Sequence, residues 1–386
     1  MGESQEPEGE DAVSKIVYQC EVCKVRDRLD IMGFTLNRVK RDFENLLSSH
    51  VESIVGSEID PEYSAEYAAD VQFYQGLTFE TYLQGLKQLL KLRIQPWESD
   101  DHQVPELLEE AKYILSNYGE GCPMGLFSAD IRSLIRAACE LVQGCAFVAL
   151  DVTEIVEAGY FHPDFKFVQN STHALLSRHP ENAQRIILTE GKTDRRFLCA
   201  AMSVLYPHLL EYYSFFDFEE TRSEGGVGRL VALVKGFVAA GVTNRVIAVF
   251  DNDTASKDAI KSLEGISLPS NIVVLTYPDL DLLKDYPTIG PTGRVRINVN
   301  GMAASIELFL GQDVLIDKDS GQLTPVQWKG YNEALKQYQG EVLNKRLIHE
   351  RFAHKLNAAS SDPKVIKAQD WSGLEAILNS IFKAFD

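Results

Sequence analysis

The chain has 386 residues, more than one hydrophobic core usually supports, so we expect two or three domains. A net charge of −18 excludes indiscriminate binding of nucleic acid along the whole chain, although a locally basic track beside a metal site stays open. No apolar run approaches the ~20 residues that a membrane span requires, and the acidic N-terminus argues against a signal peptide, so we expect a cytoplasmic protein.

The first part of the chain is predicted to be mainly helical. Residues 1–12 are acidic and lack large apolar side chains, so they should be disordered. Residues 13–180 carry apolar side chains at a helical period, and the stretch 164–180 is predicted to connect two domains. The predicted elements are helices at 25–51, 77–92, 104–118 and 129–142, the last capped by Ser128, and short strands at 146–151 and 165–168.

The middle of the chain alternates strands with helices. The apolar run 185–189 is predicted to be a buried strand, and 245–250 is a second run of the same kind. Further strands are predicted at 211–218 and 272–277. Because parallel strands need crossover connections, this alternation predicts a parallel sheet whose strand ends meet at one edge.

Two acidic clusters follow directly after these strands. Glu190 and Asp194 come after the first strand, and Asp251 and Asp253 come after 245–250. Clustered carboxylates repel one another unless a cation neutralises them, and hard oxygen ligands suit Mg²⁺ or Mn²⁺. The sequence therefore predicts a metal site. The alternative is that Asp253 caps the next helix, Glu190 and Asp194 are solvated, and Asp251 only ends a strand.

These motifs resemble a known family. Glu190-Gly191-x-x-Asp194 followed by Asp251-x-Asp253 resembles the signature of the Toprim domain of topoisomerases, primases and nucleases. Ser305-Ile306-Glu307 is similar to the Ser-x-Glu element of Toprim nucleases in the overcoming-lysogenization-defect family, and the segments 250–253 and 298–303 resemble bacterial HEPN/Toprim-associated proteins.

The resemblance implies a fold and a domain order. It implies an α/β Toprim-like domain, a parallel sheet flanked by helices, at 181–315. A mainly helical HEPN-like N-terminal domain at 13–180 precedes it, and a helical C-terminal extension at 316–386 follows. Within that extension we predict helices at 326–338, 342–356 and 371–385.

The resemblance also implies a nuclease that uses two Mg²⁺ or Mn²⁺ ions, and it suggests roles for individual residues. Glu190, Asp251 and Asp253 are expected to be catalytic, with Lys345 neutralising developing charge. The expected metal ligands are Glu190, Asp194, Asp251, Asp253 and Glu307, supported by Ser305 and Gly191. Lys192, Arg195 and Arg229 are candidates to contact substrate phosphates, and equally for a solvated helix face. The alternatives for Ser305 and Glu307 are a helix cap and a solvated side chain.

Other functions stay open at this level. Many HEPN ribonucleases carry Arg-x(4–6)-His, and that spacing is absent here, so the helical domain is predicted to bind a second copy of the chain or a separate subunit of a defence system. Family association implies defence of a prokaryote against phage or plasmids. The alternatives are a non-catalytic interaction protein and a metal-independent ribonuclease. The expected partner is nucleic acid, with DNA versus RNA undecided.

Overall fold

The structure is a computed structural model that describes residues 15–55, 64–93, 106–119, 121–144, 146–178, 183–217, 226–291, 293–318 and 320–385. The chain divides into two compact units, Met1–Phe167 and Val168–Asp386. The predicted disordered tail, 1–12, lies outside the described residues. No helix in the described ranges is long and apolar enough to cross a membrane.

Helices make up most of the first unit, and one antiparallel strand pair joins its two ends. The core is formed by apolar side chains such as Val39, Phe43 and Tyr82, each at most 1% exposed. The strands are β1 (Val17–Glu21) and β2 (Phe147–Asp151), and the helices are α1 (Val22–Ile31), α2 (Leu36–Val55), α3 (Ser64–Gly76), α4 (Phe79–Leu92), α5 (Glu109–Asn117), α6 (Ile131–Leu141) and α7 (Thr153–Glu157).

Three predictions for this unit are wrong in detail. The single helix expected at 25–51 is two helices, because Gly33 adopts a φ of +90° that interrupts the helical backbone. Asp130 caps α6 by accepting from the Arg132 backbone N–H at 2.8 Å, whereas the expected cap, Ser128, has a φ of 65°. The strand expected at 165–168 is the start of α8 (Phe167–Arg178), which also occupies most of the predicted connector.

A parallel sheet organises the second unit, as predicted. Its strands lie in the order β4-β3-β5-β7, and each neighbouring pair is parallel. The strands are β3 (Arg185–Leu188), β4 (Tyr213–Phe215), β5 (Val246–Phe250) and β7 (Ile272–Thr276), and the helices between them are α9 (Lys192–Leu205), α10 (Val227–Ala239) and α11 (Thr254–Ile260). β4 is shorter than predicted because a 3₁₀ helix, Pro207–Tyr212, takes up the first residues of 211–218. Every residue of β5 is buried, which explains its unbroken apolar sequence.

A second, mixed sheet lies in the same unit, and two of its four strands occupy residues for which the sequence predicts helix. Its order is β12-β11-β8-β9, with β8 (Tyr286–Gly290), β9 (Gly293–Ile297), β11 (Val326–Asn332) and β12 (Gln337–Val342). The helix predicted at 326–338 is therefore wrong. Gly330 disfavours a helix, and Trp328, Tyr338 and Val342 fit an alternating strand pattern on one face. The rest of the unit contains the short strands β6 (Asn252–Asp253) and β10 (Ala303–Ala304) and the helices α12 (Gln312–Leu315), α13 (Lys345–Ser361), α14 (Pro363–Ile366) and α15 (Ser372–Phe382).

Gly340 tests how tightly this mixed sheet is packed. A Cβ at Gly340 would lie 2.8 Å from Val326 Cγ1 and 2.9 Å from Trp328 Cε3, so Gly340→Ala must displace the indole or the strand. We expect a loss of about 1–3 kcal/mol in the free energy of unfolding, measured by urea denaturation. Gly330→Ala is the matched control, because a Cβ at Gly330 would meet nothing within 4 Å. Equal stability of the two variants would contradict this packing.

Candidate active site

The first acidic cluster meets the second one directly. Glu190 follows β3 and Asp251 follows β5, and these strands are hydrogen-bonded neighbours. Glu190 Oε1 accepts from the Asp251 backbone N–H at 2.9 Å and from Ser256 Oγ at 2.5 Å. The structure thus brings together the ends of two parallel strands, as the alternation of elements predicts.

Asp253 joins this arrangement and also caps a helix. Its Oδ1 accepts from the Ser256 backbone N–H at 2.8 Å, at the N-terminus of α11, and its Oδ2 accepts from Gln339 Nε2 at 2.7 Å. Ser256 therefore contacts both Glu190 and Asp253 and ties the two clusters together. The alternative that Asp253 caps the next helix is therefore correct. Asp253 is also buried, with 8% exposure, so it is at the same time a buried member of the acidic cluster.

Asp194 is buried near the N-terminus of α9. Its Oδ1 accepts from the Tyr277 hydroxyl at 2.8 Å, and Tyr277 follows β7. The Asp194 side chain is therefore buried, and the alternative prediction of a solvated Asp194 is wrong. Gly191 precedes the helix, and a Cβ there would lie 3.4 Å from Asp194 Oδ2, so the glycine leaves room beside this carboxylate.

Glu307 reaches the cluster through a short strand pair. β10 pairs antiparallel with β6, with Ala303 opposite Asp253 and Ala304 opposite Asn252. The chain then enters a 3₁₀ helix, Ile306–Phe309, in which Glu307 is 4% exposed. Ser305 Oγ donates to Glu307 Oε2 at 2.7 Å, so Ser305 orients this carboxylate, and its side chain accepts no cap hydrogen bond from the backbone of the 3₁₀ helix.

Two basic side chains of α13 lie on the same carboxylate. Lys345 Nζ is 3.5 Å from Glu307 Oε2, and His349 Nε2 is 3.0 Å from Glu307 Oε1. Lys345 and His349 are four residues apart and therefore share one face of the helix. Glu307 is thus contacted on both oxygens.

The pKa values show how strongly these carboxyl groups interact. Burial raises the pKa of Glu190 to about 7, and the charges of Asp253 and Asp194 act in the same direction. Burial likewise raises the pKa of Asp194 to about 6, with a further contribution from Glu307. The pKa of Asp251 lies well above its usual range, because its carboxylate is buried and is repelled by the other four.

Glu307 behaves differently from the other carboxylates. Burial alone would raise its pKa, but the hydrogen bond from His349, the charge of Lys345 and the hydrogen bond from Ser305 together bring the pKa to about 2. The site therefore combines one firmly ionised carboxylate with three that resist ionisation.

The fit of these residues to a metal ion rests on one buried atom. Within the described ranges, no group of three or more His, Cys, Asp or Glu side chains has the arrangement of a metal site. Glu190, Asp194, Asp253 and Glu307 each accept a hydrogen bond from a donor of the protein. Asp251 Oδ1 is the exception, because it is buried and has no hydrogen-bond partner. A buried carboxyl oxygen without a donor, close to four further carboxyl groups, suits a cation that would favour the ionised form.

The three residues predicted to contact substrate phosphates, Lys192, Arg195 and Arg229, do not form a cluster of the same kind. Lys192 is exposed at the start of α9, next to the first acidic cluster. Arg195 Nη2 lies 2.6 Å from Asp217 Oδ2, so a carboxylate of the chain already neutralises this guanidinium. Arg229 is exposed on α10.

Sequence reasoning missed four residues of this site. His349 had a usable signal, since it lies one helical turn after Lys345, the basic residue expected to act at the site. Tyr277 could have been found as the last residue of the strand predicted at 272–277, at the edge of the sheet where the acidic clusters are expected. Ser256 and Gln339 gave no signal, because their roles depend on tertiary contacts with Glu190 and Asp253.

Comparison with known proteins gives one finding for the N-terminal part of the chain. Residues 2–173 match the family model described as HEPN/Toprim N-terminal domain 1. This match supports an association with HEPN/Toprim proteins, a grouping that suggests a nuclease-like role. Comparisons with curated proteins and with solved structures gave no match. The matched region ends before the acidic site, so the resemblance to the overcoming-lysogenization-defect nucleases stays a prediction.

Proposed function

We propose that this chain is a divalent-metal-dependent nuclease that hydrolyses phosphodiester bonds of DNA or RNA. The observation that carries the proposal is the meeting of Glu190, Asp194, Asp251, Asp253 and Glu307, from separate segments of the chain, around a buried Asp251 oxygen that has no hydrogen-bond donor. Structural carboxylates are normally paired or solvated, whereas a cluster in which burial and like charges raise the pKa of three members is characteristic of a functional site.

The five carboxylates are the residues that would hold the metal. The metal would be two ions of Mg²⁺ or Mn²⁺. When bound, such ions activate a water molecule and stabilise the leaving oxygen of an in-line displacement. Ser256 holds Glu190 and Asp253 in register, and Tyr277 orients Asp194. Lys345, at the edge of the cluster and 39% exposed, is placed to neutralise charge on a phosphate.

A screen of the full-length protein tests this function. Labelled single- and double-stranded DNA and RNA are incubated with Mg²⁺, Mn²⁺ or EDTA. We expect cleavage of at least one substrate with a divalent ion and none with EDTA. Failure to cleave any of the four with either ion would overturn the proposal. Cleavage of RNA that persists in EDTA would instead support a ribonuclease in the helical unit.

Lys345 provides a test within the site. We expect Lys345→Ala to lower the rate of cleavage about 10²-fold, because it removes a positive charge at the place where charge develops on the phosphate. Arg346→Ala is the matched control on the same helix, since the Arg346 side chain is 95% exposed and pairs with Glu350. The rates are measured at saturating substrate. Equal loss in both variants would show that Lys345 has no special role.

A second candidate function is a non-catalytic component of a defence complex. The observation that favours it is that four of the five carboxylates are hydrogen-bonded by the protein and that no described group has the arrangement of a metal site. In that case purified protein would bind a partner subunit and leave nucleic acid intact under every metal condition. The role in defence against phage or plasmids is proposed from the HEPN/Toprim association.

A further inference from the structure

The Glu307 carboxylate is held from three directions by side chains of its own unit. Ser305 and Lys345 lie on Oε2, at 2.7 and 3.5 Å, and His349 is the side chain on Oε1, at 3.0 Å. An ionised carboxylate only accepts hydrogen bonds, so the imidazole nitrogen that meets Oε1 carries the proton. His349 therefore orients Oε1, whereas Ser305 and Lys345 contact Oε2.

The His349 ring is itself held in place by packing. It stands edge-on to the Phe197 ring, with centroids 5.0 Å apart and planes at 84°, and Phe197 packs in turn on Phe352 at 4.9 Å. Phe197 belongs to α9, the helix that carries Asp194 at its start, and His349 belongs to α13. The side chain is 25% exposed, so it is not part of the buried core.

This geometry differs from that of an incidental surface pair. Exposed ion pairs contribute little, whereas the Glu307 side chain is 5% exposed and its Oε1 meets the His349 imidazole at 3.0 Å. Without the imidazole, the Ser305 and Lys345 contacts to Oε2 would be the side-chain contacts that restrict rotation of the carboxylate about the Cγ–Cδ bond. Carboxylates that bind metals are usually oriented by hydrogen bonds of this kind, and loss of the orienting group lowers metal affinity or activity about 10–100-fold.

We propose that His349 is a positioning residue, which fixes the Glu307 carboxylate for divalent-metal binding at the acidic cluster. The inference rests on the proposed function, because it assigns Glu307 to the same metal-dependent site. His349 acts through Glu307 and is not placed in contact with the substrate.

The test separates the hydrogen bond from the ring. His349→Gln keeps an N–H donor near the position of Nε2 and loses the ring, whereas His349→Phe keeps a ring against Phe197 and loses the donor. His354→Gln is the matched control, because His354 is an exposed histidine on the same helix. Mn²⁺ binding to the full-length protein is measured by calorimetry, and kcat and KM are measured on the substrate found in the metal screen.

We expect His349→Phe to weaken Mn²⁺ binding about 10–100-fold and to lower kcat with little change in KM. His349→Gln should bind Mn²⁺ within a few-fold of the wild type, and His354→Gln should match the wild type. If His349→Phe does not fold, as judged by circular dichroism, His349→Ala replaces it as the variant without a donor.

Two results would overturn the inference. One is Mn²⁺ binding of His349→Phe equal to that of the wild type. The other is equal loss of kcat in the Gln and Phe variants with unchanged Mn²⁺ affinity, which would mean that the imidazole does something a fixed donor cannot replace. A wild-type protein that binds Mn²⁺ and cleaves no nucleic acid would refute the proposed function alone, because the Mn²⁺ titrations would still decide the role of His349.

Discussion

Asp251→Asn is expected to abolish cleavage, with a loss of at least about 1000-fold in kcat, while the protein stays folded. The substitution keeps the size of the side chain but removes the anionic oxygen that has no hydrogen-bond donor in the structure. Because the ionised carboxylate is repelled by Asp194, Glu190, Asp253 and Glu307, its removal should also stabilise the metal-free protein. We expect a gain of about 1–3 kcal/mol in the free energy of unfolding at pH 8 in EDTA.

This pair of opposite effects separates a functional carboxylate from a structural one. A structural aspartate would lose stability when neutralised, and its activity would fall only through unfolding. Asp258→Asn is the matched control, since Asp258 lies on α11 close to the cluster but is 47% exposed and faces Lys261. Cleavage assays and urea denaturation of the three proteins make the comparison. Wild-type activity in Asp251→Asn would refute the assignment of the site.

The metal-free protein is expected to lose stability as the pH rises from about 4 to 8. Glu190 and Asp194 have pKa values of about 7 and about 6 in the folded chain, above the ordinary values of 4.5 and 3.8. Over this range the unfolded chain releases protons that the folded chain retains, so the free energy of unfolding falls with rising pH. Each group contributes on the order of 3 kcal/mol, and the loss is complete once the pH has passed the folded pKa values.

Glu307 contributes with the opposite sign and in a different range. Its pKa is lowered to about 2, so its stabilising effect is present above pH 4.5 and is lost only as the pH falls toward 2. Above pH 4.5 the fall in stability therefore reports on the carboxyl groups whose pKa values are raised, namely Glu190, Asp194 and Asp251.

Thermal unfolding followed by tryptophan fluorescence measures this effect, since two of the three tryptophans, Trp328 and Trp371, belong to the second unit. In EDTA we expect the melting temperature to fall through this range, and saturating Mg²⁺ should restore it at pH 8, because a ligand that binds the folded state stabilises it. Asp251→Asn should show a weaker dependence on pH, since one of the repelling charges is gone. A melting temperature that does not change with pH in EDTA would contradict the burial of these two carboxyl groups.

The parallel sheet could be predicted because local sequence determines its strands. The strands β3, β5 and β7 are short apolar runs between helices with a clear apolar stripe, and β5 is buried at every residue. The end of each buried strand can also be predicted from the sequence, because Glu190 and Asp251 each end an apolar run. Their approach to one edge of the sheet then follows from the parallel arrangement.

The mixed sheet could not be predicted in the same way. Its central contact is the parallel pairing of β8 with β11, which are separated by more than thirty residues of sequence. The stretch 326–338 contains Trp, Tyr and Leu at spacings that also suit a helix, and only the pairing with β8 and β12 makes it a strand. The hairpin of β8 and β9 was missed for a different reason. β9 lies at an exposed edge of the sheet, and its residues have little apolar pattern.

The amino-acid sequence by itself determined the strands of the parallel sheet and the points where they end, because burial on both faces and helical periodicity are visible in neighbouring residues. It therefore placed Glu190, Asp194, Asp251 and Asp253 at the ends of two strands of one sheet. Only the tertiary structure decided which groups surround them. The pairing of β10 with β6 delivers Glu307, the hairpin of β11 and β12 delivers Gln339, and the packing of α13 on α9 delivers Lys345 and His349. Such contacts join residues distant in sequence, and their energy depends on shape and burial that no local pattern records.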